Sequence, residues 1–148
     1  MPEKETVERA RADKRAGKAP STQAGEFVRE EMHHVREGKH GARSTKQAIA
    51  IGLSKARRSG VKLPPPSGGK ASTRRSAASA VRAGRRHARP SPKRARAVRS
   101  ALKREGHRAA SSKALSRQAK TAAGRRSAAS RSEAARKAAR TRQRRASA

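Results

Sequence analysis

Three histidines, His33, His34 and His40, stand close together beside Glu30 and Glu37, and imidazole with carboxylate is the donor set of zinc-class metal sites. Ligation requires the rings to converge. On a helix turning about 100° per residue His33 and His34 point apart, so all three are expected on a solvated helix edge with no metal bound. A second cluster offers anion chemistry. GKHGARSTK, from Gly38 to Lys46, brings two glycines, Arg43 and Lys46 to a helix start, where free amides and the helix dipole favour a phosphate. The loop lacks the G-x-x-x-x-G-K-[ST] spacing of a nucleotide-hydrolysing P-loop. Hydroxyls are scattered and carboxylates sit among other charges, without a grouped nucleophile, base and acid. The chain therefore reads as a non-enzyme that needs no cofactor.

Its dominant chemistry is cationic. Forty-one Lys/Arg against 10 Asp/Glu give 148 residues a net charge of +31. Such a chain gains affinity for nucleic acid mainly by releasing condensed counterions, without reading sequence. Phe27 is its single Phe, Tyr or Trp ring, so the base stacking used by single-strand binders is missing and duplex DNA is the favoured partner. RNA, including a ribosomal particle, is the alternative partner. A third alternative is an adaptor whose apolar face takes a protein or a second copy. No apolar run approaches the roughly 20 residues of a membrane span, and MPEKETVERA has no apolar signal-peptide region. The expected place is the cytoplasm, at the nucleoid. With no cysteine, disulfides and thiolate metal sites are excluded.

The elements that must position these groups divide at PPPSGG, residues 64–69, a stiff-then-flexible linker. Residues 1–63 carry 15 Lys/Arg and 8 Asp/Glu, net +7; residues 64–148 carry 26 and 2, net +24. The head, 1–63, reads as a small all-α unit of two or three short helices. Thr6 is expected to cap the first, over TVERARADKRAG, whose apolar spacing is only Val7 and Ala10. The second runs from near Thr22 to Gly38 and gathers Ala24, Phe27, Val28, Met32 and Val35 on one face, interrupted by Glu31. Ser44 and Gln47 match a capping box for the third. Gly60 should end it, with Val61 folding back on Ala56. Its packed arc is Ala48, Ile49, Gly52, Leu53 and Ala56, with Ile51 among the bases on the other side.

Beyond the linker, residues 70–148 are built from Ala, Arg, Ser and Lys, and RRSAAS occurs twice, at Arg74–Ser79 and Arg125–Ser130. Only 32% of the whole chain is hydrophobic and most of that is alanine. By that measure the tail cannot offset its ordering entropy, and it is expected to be long and intrinsically disordered with induced-helix potential. Helices are expected from Ser91 with Pro92 to Gly106, from Ser112 to Gly124, and from Ser130 with Glu133, once an anion neutralises the arginines.

Two resemblances attach to these segments. REGKHGARSTKQAIAIGLSKARRSGV, preceded by APSTQAGEFVREE, closely resembles the N-terminal segment of a family of short basic bacterial proteins known only as a domain of unknown function. The likeness covers roughly residues 1 to 65 and rests on the unusual QAIAIGLSKAR run; it implies a bacterial origin and no activity. The tail is similar in composition to the arms of bacterial histone-like proteins. SPKR, Ser91 to Arg94, resembles the Ser-Pro-Lys-Lys motifs of eukaryotic linker histone tails, which implies a turn in the minor groove.

Together these features predict sequence-nonspecific, histone-like DNA binding through the tail. The candidate phosphate contacts in the head are Arg43, Lys46, Lys55, Arg57 and Arg58. Those in the tail are Arg74, Arg75, Arg85, Arg86, Lys93, Arg94, Arg96, Arg125, Arg126, Arg144 and Arg145.

Overall fold

The computed structural model describes residues 1–86 and 91–147, and the side chain of Arg145 is outside that description. Described residues form seven α-helices and one 3-10 turn: α1 Lys4–Arg15, α2 Pro20–Arg36, α3 Thr45–Arg58, α4 Ala71–Arg85, α5 Pro92–Lys103, the turn Arg108–Ala110, α6 Ser112–Gly124 and α7 Ala128–Ala146. Two compact units divide them, Met1–Ser111 and Ser112–Ala148.

Local signals set the ends of the first three helices. Pro20 occupies the first turn of α2, where its missing N–H is no loss. The Ser44 hydroxyl accepts from the Gln47 amide at 3.2 Å, and the Gln47 side chain accepts from the Arg43 amide at 2.7 Å. Gly60 adopts φ +89°, which lets the Val61 amide reach the Ala56 carbonyl at 3.1 Å and the Gly60 amide reach Arg57 at 3.2 Å, the paired bonds of a Schellman ending. One expectation fails here. Thr6 lies inside α1 and is buried, while Glu3 holds the cap position.

Phe27, 1% exposed, is surrounded by Ala10, Ala24 and Ala56, with Val7, Leu53, Val61 and Leu63 packed around them. Burying such a ring contributes about 1.5–3 kcal/mol. α2 packs on both α1 and α3, so this cluster sits where the three helices meet. Met32, Val35 and Ala48 are buried as well, and Ile51 is half-buried.

The expectation of a long disordered tail is overturned, because residues 71–85, 92–103, 112–124 and 128–146 are helical. That expectation weighed large aliphatic side chains, whereas α4 docks on α3 through small ones. Ala77, Ala80 and Gly84 are its buried positions, and a Cβ added at Gly84 would collide with the Arg57 carbonyl. Residues 102–110 are held by backbone. The Gly41 amide donates to Leu102 at 2.9 Å and the Ala42 amide to Gly106 at 3.0 Å. Thr45 Oγ1 donates to the Ala109 carbonyl at 2.7 Å, and Arg36 Nε to Ala110 at 2.8 Å. The linker is also anchored at its start: the Arg57 guanidinium donates to the carbonyls of Leu63 and Pro64.

Three tail helices lie where helix was expected only with an anion bound, and their ends differ. α5 follows Ser91 with Pro92 in its first turn, so SPKR opens a helix instead of forming a separate turn. α6 begins at Ser112 and reaches Gly124. α7 begins at Ala128 because the Ser127 hydroxyl accepts from the Ser130 amide at 3.2 Å, three residues before the expected cap at Ser130 with Glu133.

Candidate functional site

The structure separates the candidate phosphate contacts of the head into two groups. Arg43, Lys46 and Arg58 are exposed. Lys55 and Arg57 turn inward. Lys55 Nζ lies 3.1 Å from Glu30 Oε1 and 2.7 Å from Glu31 Oε2. Arg57 is 8% exposed with its guanidinium on the two linker carbonyls, and burial pulls it below its ordinary pKa. In the tail Arg74, Arg75, Arg85, Arg86, Lys93, Arg94, Arg96, Arg125, Arg126 and Arg144 are all exposed.

Loop 38–46, open from sequence to a phosphate or to a plain capped connection between helices, takes carbonyls. Its Gly41 and Ala42 amides hold Leu102 and Gly106, and the Arg43 amide holds Gln47. A Cβ at Gly41 would collide with the Glu105 carbonyl. Arg43 and Lys46 remain available at its edge as side chains only.

A second assembly forms at the inner face of α2. Glu31, which looked like a flaw in the apolar stripe, is 0% exposed. His34 follows three residues later on the same face. Gly38, at φ +76°, reverses the chain as the Lys39 amide bonds the His34 carbonyl at 3.0 Å, and this return brings His40 beside Glu31. His40 Nε2 is 3.2 Å from Glu31 Oε1. The His34 and His40 rings meet edge-on with centroids 6.0 Å apart. Ligand atoms of Glu31, His34 and His40 all lie within 4.8 Å of one another. His33 and His34 do point apart, but only His33 lies on a solvated edge: His34 and His40 are half-buried and meet each other.

Further carboxylates frame the cluster. Glu3 Oε1 accepts from His34 Nε2 at 2.9 Å and from Lys39 Nζ at 3.1 Å. Those hydrogen bonds, His34 first and then Lys39, hold the Glu3 carboxyl down at about 2, while Glu3 and then Glu37 push Lys39 up. Glu30 is pushed up by burial, but hydrogen bonds from Thr6, Lys55 and the Glu3 amide outweigh it, and its carboxyl ends below the ordinary value. A depression of about 190 Å³ opens beside His34, lined by Glu3, Arg29, Glu30, His33 and Lys39 among others.

Residues 11–67 match the model of a family of unknown function, DUF6496. No curated protein and no solved structure gives a match. The DUF6496 match spans all of α2 and α3, hence Glu30, Glu31, His34, His40 and Lys55 of the cluster, together with the five candidate phosphate contacts of the head. Glu3 and the helices after the linker lie outside it.

Sequence reasoning missed Glu31, Glu3 and Lys39 as site residues. A signal for Glu31 was present, since an acid amid apolar i, i+3, i+4 positions needs a buried partner. Nothing local pointed to Glu3, which reaches α2 across 31 residues.

A groove of about 640 Å³ runs between the linker and α4, lined by Val61, Leu63, Pro64, Pro65 and Val81 among others. No helix among the described residues is long and apolar enough to cross a membrane.

Proposed function

We propose that this chain is a non-enzymatic, histone-like protein of the nucleoid that binds duplex DNA without sequence preference. The observation behind the proposal is how the charges are distributed. In the first half six of the eight acids are engaged internally: Glu30 and Glu31 by Lys55, Glu26 by Arg9, Asp13 by Lys18, and Glu3 and Glu37 by Lys39. Exposed arginines and lysines on α4 to α7 face only Glu105 and Glu133 over residues 64–148.

Helices of this kind present phosphate contacts without base readers. In α7 Arg136, Arg140 and Arg144 recur every four residues and are exposed. Like charges at that spacing cost a few tenths of a kcal/mol per pair, and a polyanion relieves the cost. Phe27, the one ring suited to stacking, is buried, which supports duplex over single-stranded nucleic acid.

Salt titration of the full chain on one DNA duplex, its scrambled partner and an RNA duplex tests this. Affinity should fall linearly on logarithmic axes, equally for both DNA duplexes. Replacing Arg136, Arg140 and Arg144 together by Gln should lower the slope by up to about 2.7 if all three meet phosphates. A more than tenfold preference between the DNA duplexes, roughly 1.4 kcal/mol, or a slope near zero, overturns the proposal. Tighter binding to the RNA duplex by the same factor moves the function to RNA.

A further inference from the structure

We propose that Glu31, His34 and His40 form a binding site for one divalent transition-metal ion of the zinc class. Two imidazoles and one carboxylate are a donor set such ions accept, with a fourth position left to water or another ligand. The three side chains already converge within 4.8 Å. His40 Nε2 and Glu31 Oε1 are 3.2 Å apart, close to the edge of about 3.4 Å that a tetrahedron with bonds of roughly 2.0–2.1 Å requires.

Hydrogen bonding around His40 supplies an independent indication. Its Nδ1 lies 3.0 Å from the Gly41 carbonyl oxygen, which can only accept, so Nδ1 carries a proton. A backbone carbonyl on the second ring nitrogen is the usual support of a metal-bound histidine. The remaining nitrogen, Nε2, faces Oε1 of the fully buried Glu31 carboxylate at 3.2 Å without a well-aligned hydrogen bond. A protonated Nε2 would aim its N–H at Oε1. In a tetrahedral site the lone pair aims at the ion and not straight at the neighbouring ligand atom, and a close, poorly aligned approach is compatible with a shared ion.

His34 fits the same pattern. Its Nε2 donates to Glu3, a carboxylate support that leaves the lone pair on Nδ1. Lys55 holds the other oxygen of Glu31 at 2.7 Å, leaving Oε1 as the ligand atom.

The test uses the full, tag-free chain stripped with chelator and titrated with zinc or cobalt(II) salt alone, with no nucleic acid present. Expected are one ion per chain by calorimetry and visible cobalt absorption of a four- or five-coordinate site. His40→Ala should weaken binding by about tenfold or more, and His33→Ala should leave it unchanged. Circular dichroism checks that each variant folds, and NMR of the histidine rings in the unaltered chain gives a second readout. Zinc should shift His34 and His40 and leave His33 in place. The proposal is overturned if no ion binds, if folded His40→Ala binds as tightly, or if His33 responds as strongly as His40. A ring response to pH without any response to zinc would assign the cluster to protons and overturn it equally.

Discussion

The backbone of Gly84 lies against the carbonyl oxygen of Arg57, so close that a Cβ at position 84 would overlap it. This contact is where the first helix after the linker joins the three-helix core. Gly84→Ala should force α4 away from α3 and cost about 1–3 kcal/mol, although alanine is the better helix former. Hydrogen exchange of the variant should show lost protection in 71–85 with α1 and α2 retained. Unchanged protection in α4 would show that the helix is not held there.

Gly52 and Gly25 make a matched pair inside neighbouring helices. A Cβ on Gly52 would stand 2.7 Å from Val28 Cα and 3.0 Å from the Phe27 carbonyl, whereas one on Gly25 meets nothing within 4 Å. Gly52→Ala should destabilise by about 1–3 kcal/mol, and Gly25→Ala should stabilise by about 0.5–1 kcal/mol. Denaturant midpoints of the two variants check this, and equal signs would mean the crossing of α2 and α3 is misplaced.

Particular residues show why some of this was legible in sequence and some was not. The ends of α3 follow from Ser44, Gln47 and Gly60, each of which acts within a few residues of its own position. The face of α2 follows from the helical spacing of Ala24, Phe27 and Val35. α4 left no such trace, because Ala77, Ala80 and Gly84 bury little apolar area and act by letting backbones approach. Its docking depends on shape, which hydropathy does not record. Glu31 was visible only as an interruption, since its neighbours arrive from elsewhere: His40 by way of the Gly38 turn, Lys55 from α3. The basic residues were legible as charge but not as direction. Hence Lys55 and Arg57, placed on an open basic face, are committed inside the fold.

That difference is measurable. Arg57→Ala removes the charged donors to the part-buried Leu63 and Pro64 carbonyls, hydrogen bonds of a kind that contribute about 1.5–3 kcal/mol. Lys46→Ala, on the exposed side of α3, should stay within about 0.5 kcal/mol of the parent. Thermal unfolding of both decides the matter. Equal stability would return Arg57 to the surface.

Thr45 offers a narrower probe of residues 102–110. Its hydroxyl donates to the Ala109 carbonyl from a buried position, so Thr45→Val keeps the shape and removes one hydrogen bond, worth about 0.5–1.5 kcal/mol. Exchange at Ala110 and Ser111 should quicken first. If amides of α1 lose protection to the same degree, the turn 108–110 and the core open as one cooperative unit.

Nucleic-acid affinity should be shared between the two compact units. Ending the chain at Ser111 removes 12 of the 41 Lys/Arg and one acid, Glu133, while leaving Met1–Ser111 intact as a compact unit. Exposed bases remain on α4 and α5, and a counterion-release slope tracks the number of phosphates met. If all exposed bases contribute alike, the truncated chain should keep roughly two thirds of the slope and bind more weakly at every salt concentration. Loss of the entire slope would assign binding to α6 and α7 alone, with α4 and α5 serving the fold. An unchanged slope would mean that the last 37 residues meet no phosphate, and the exposed arginine row of α7 would need another partner.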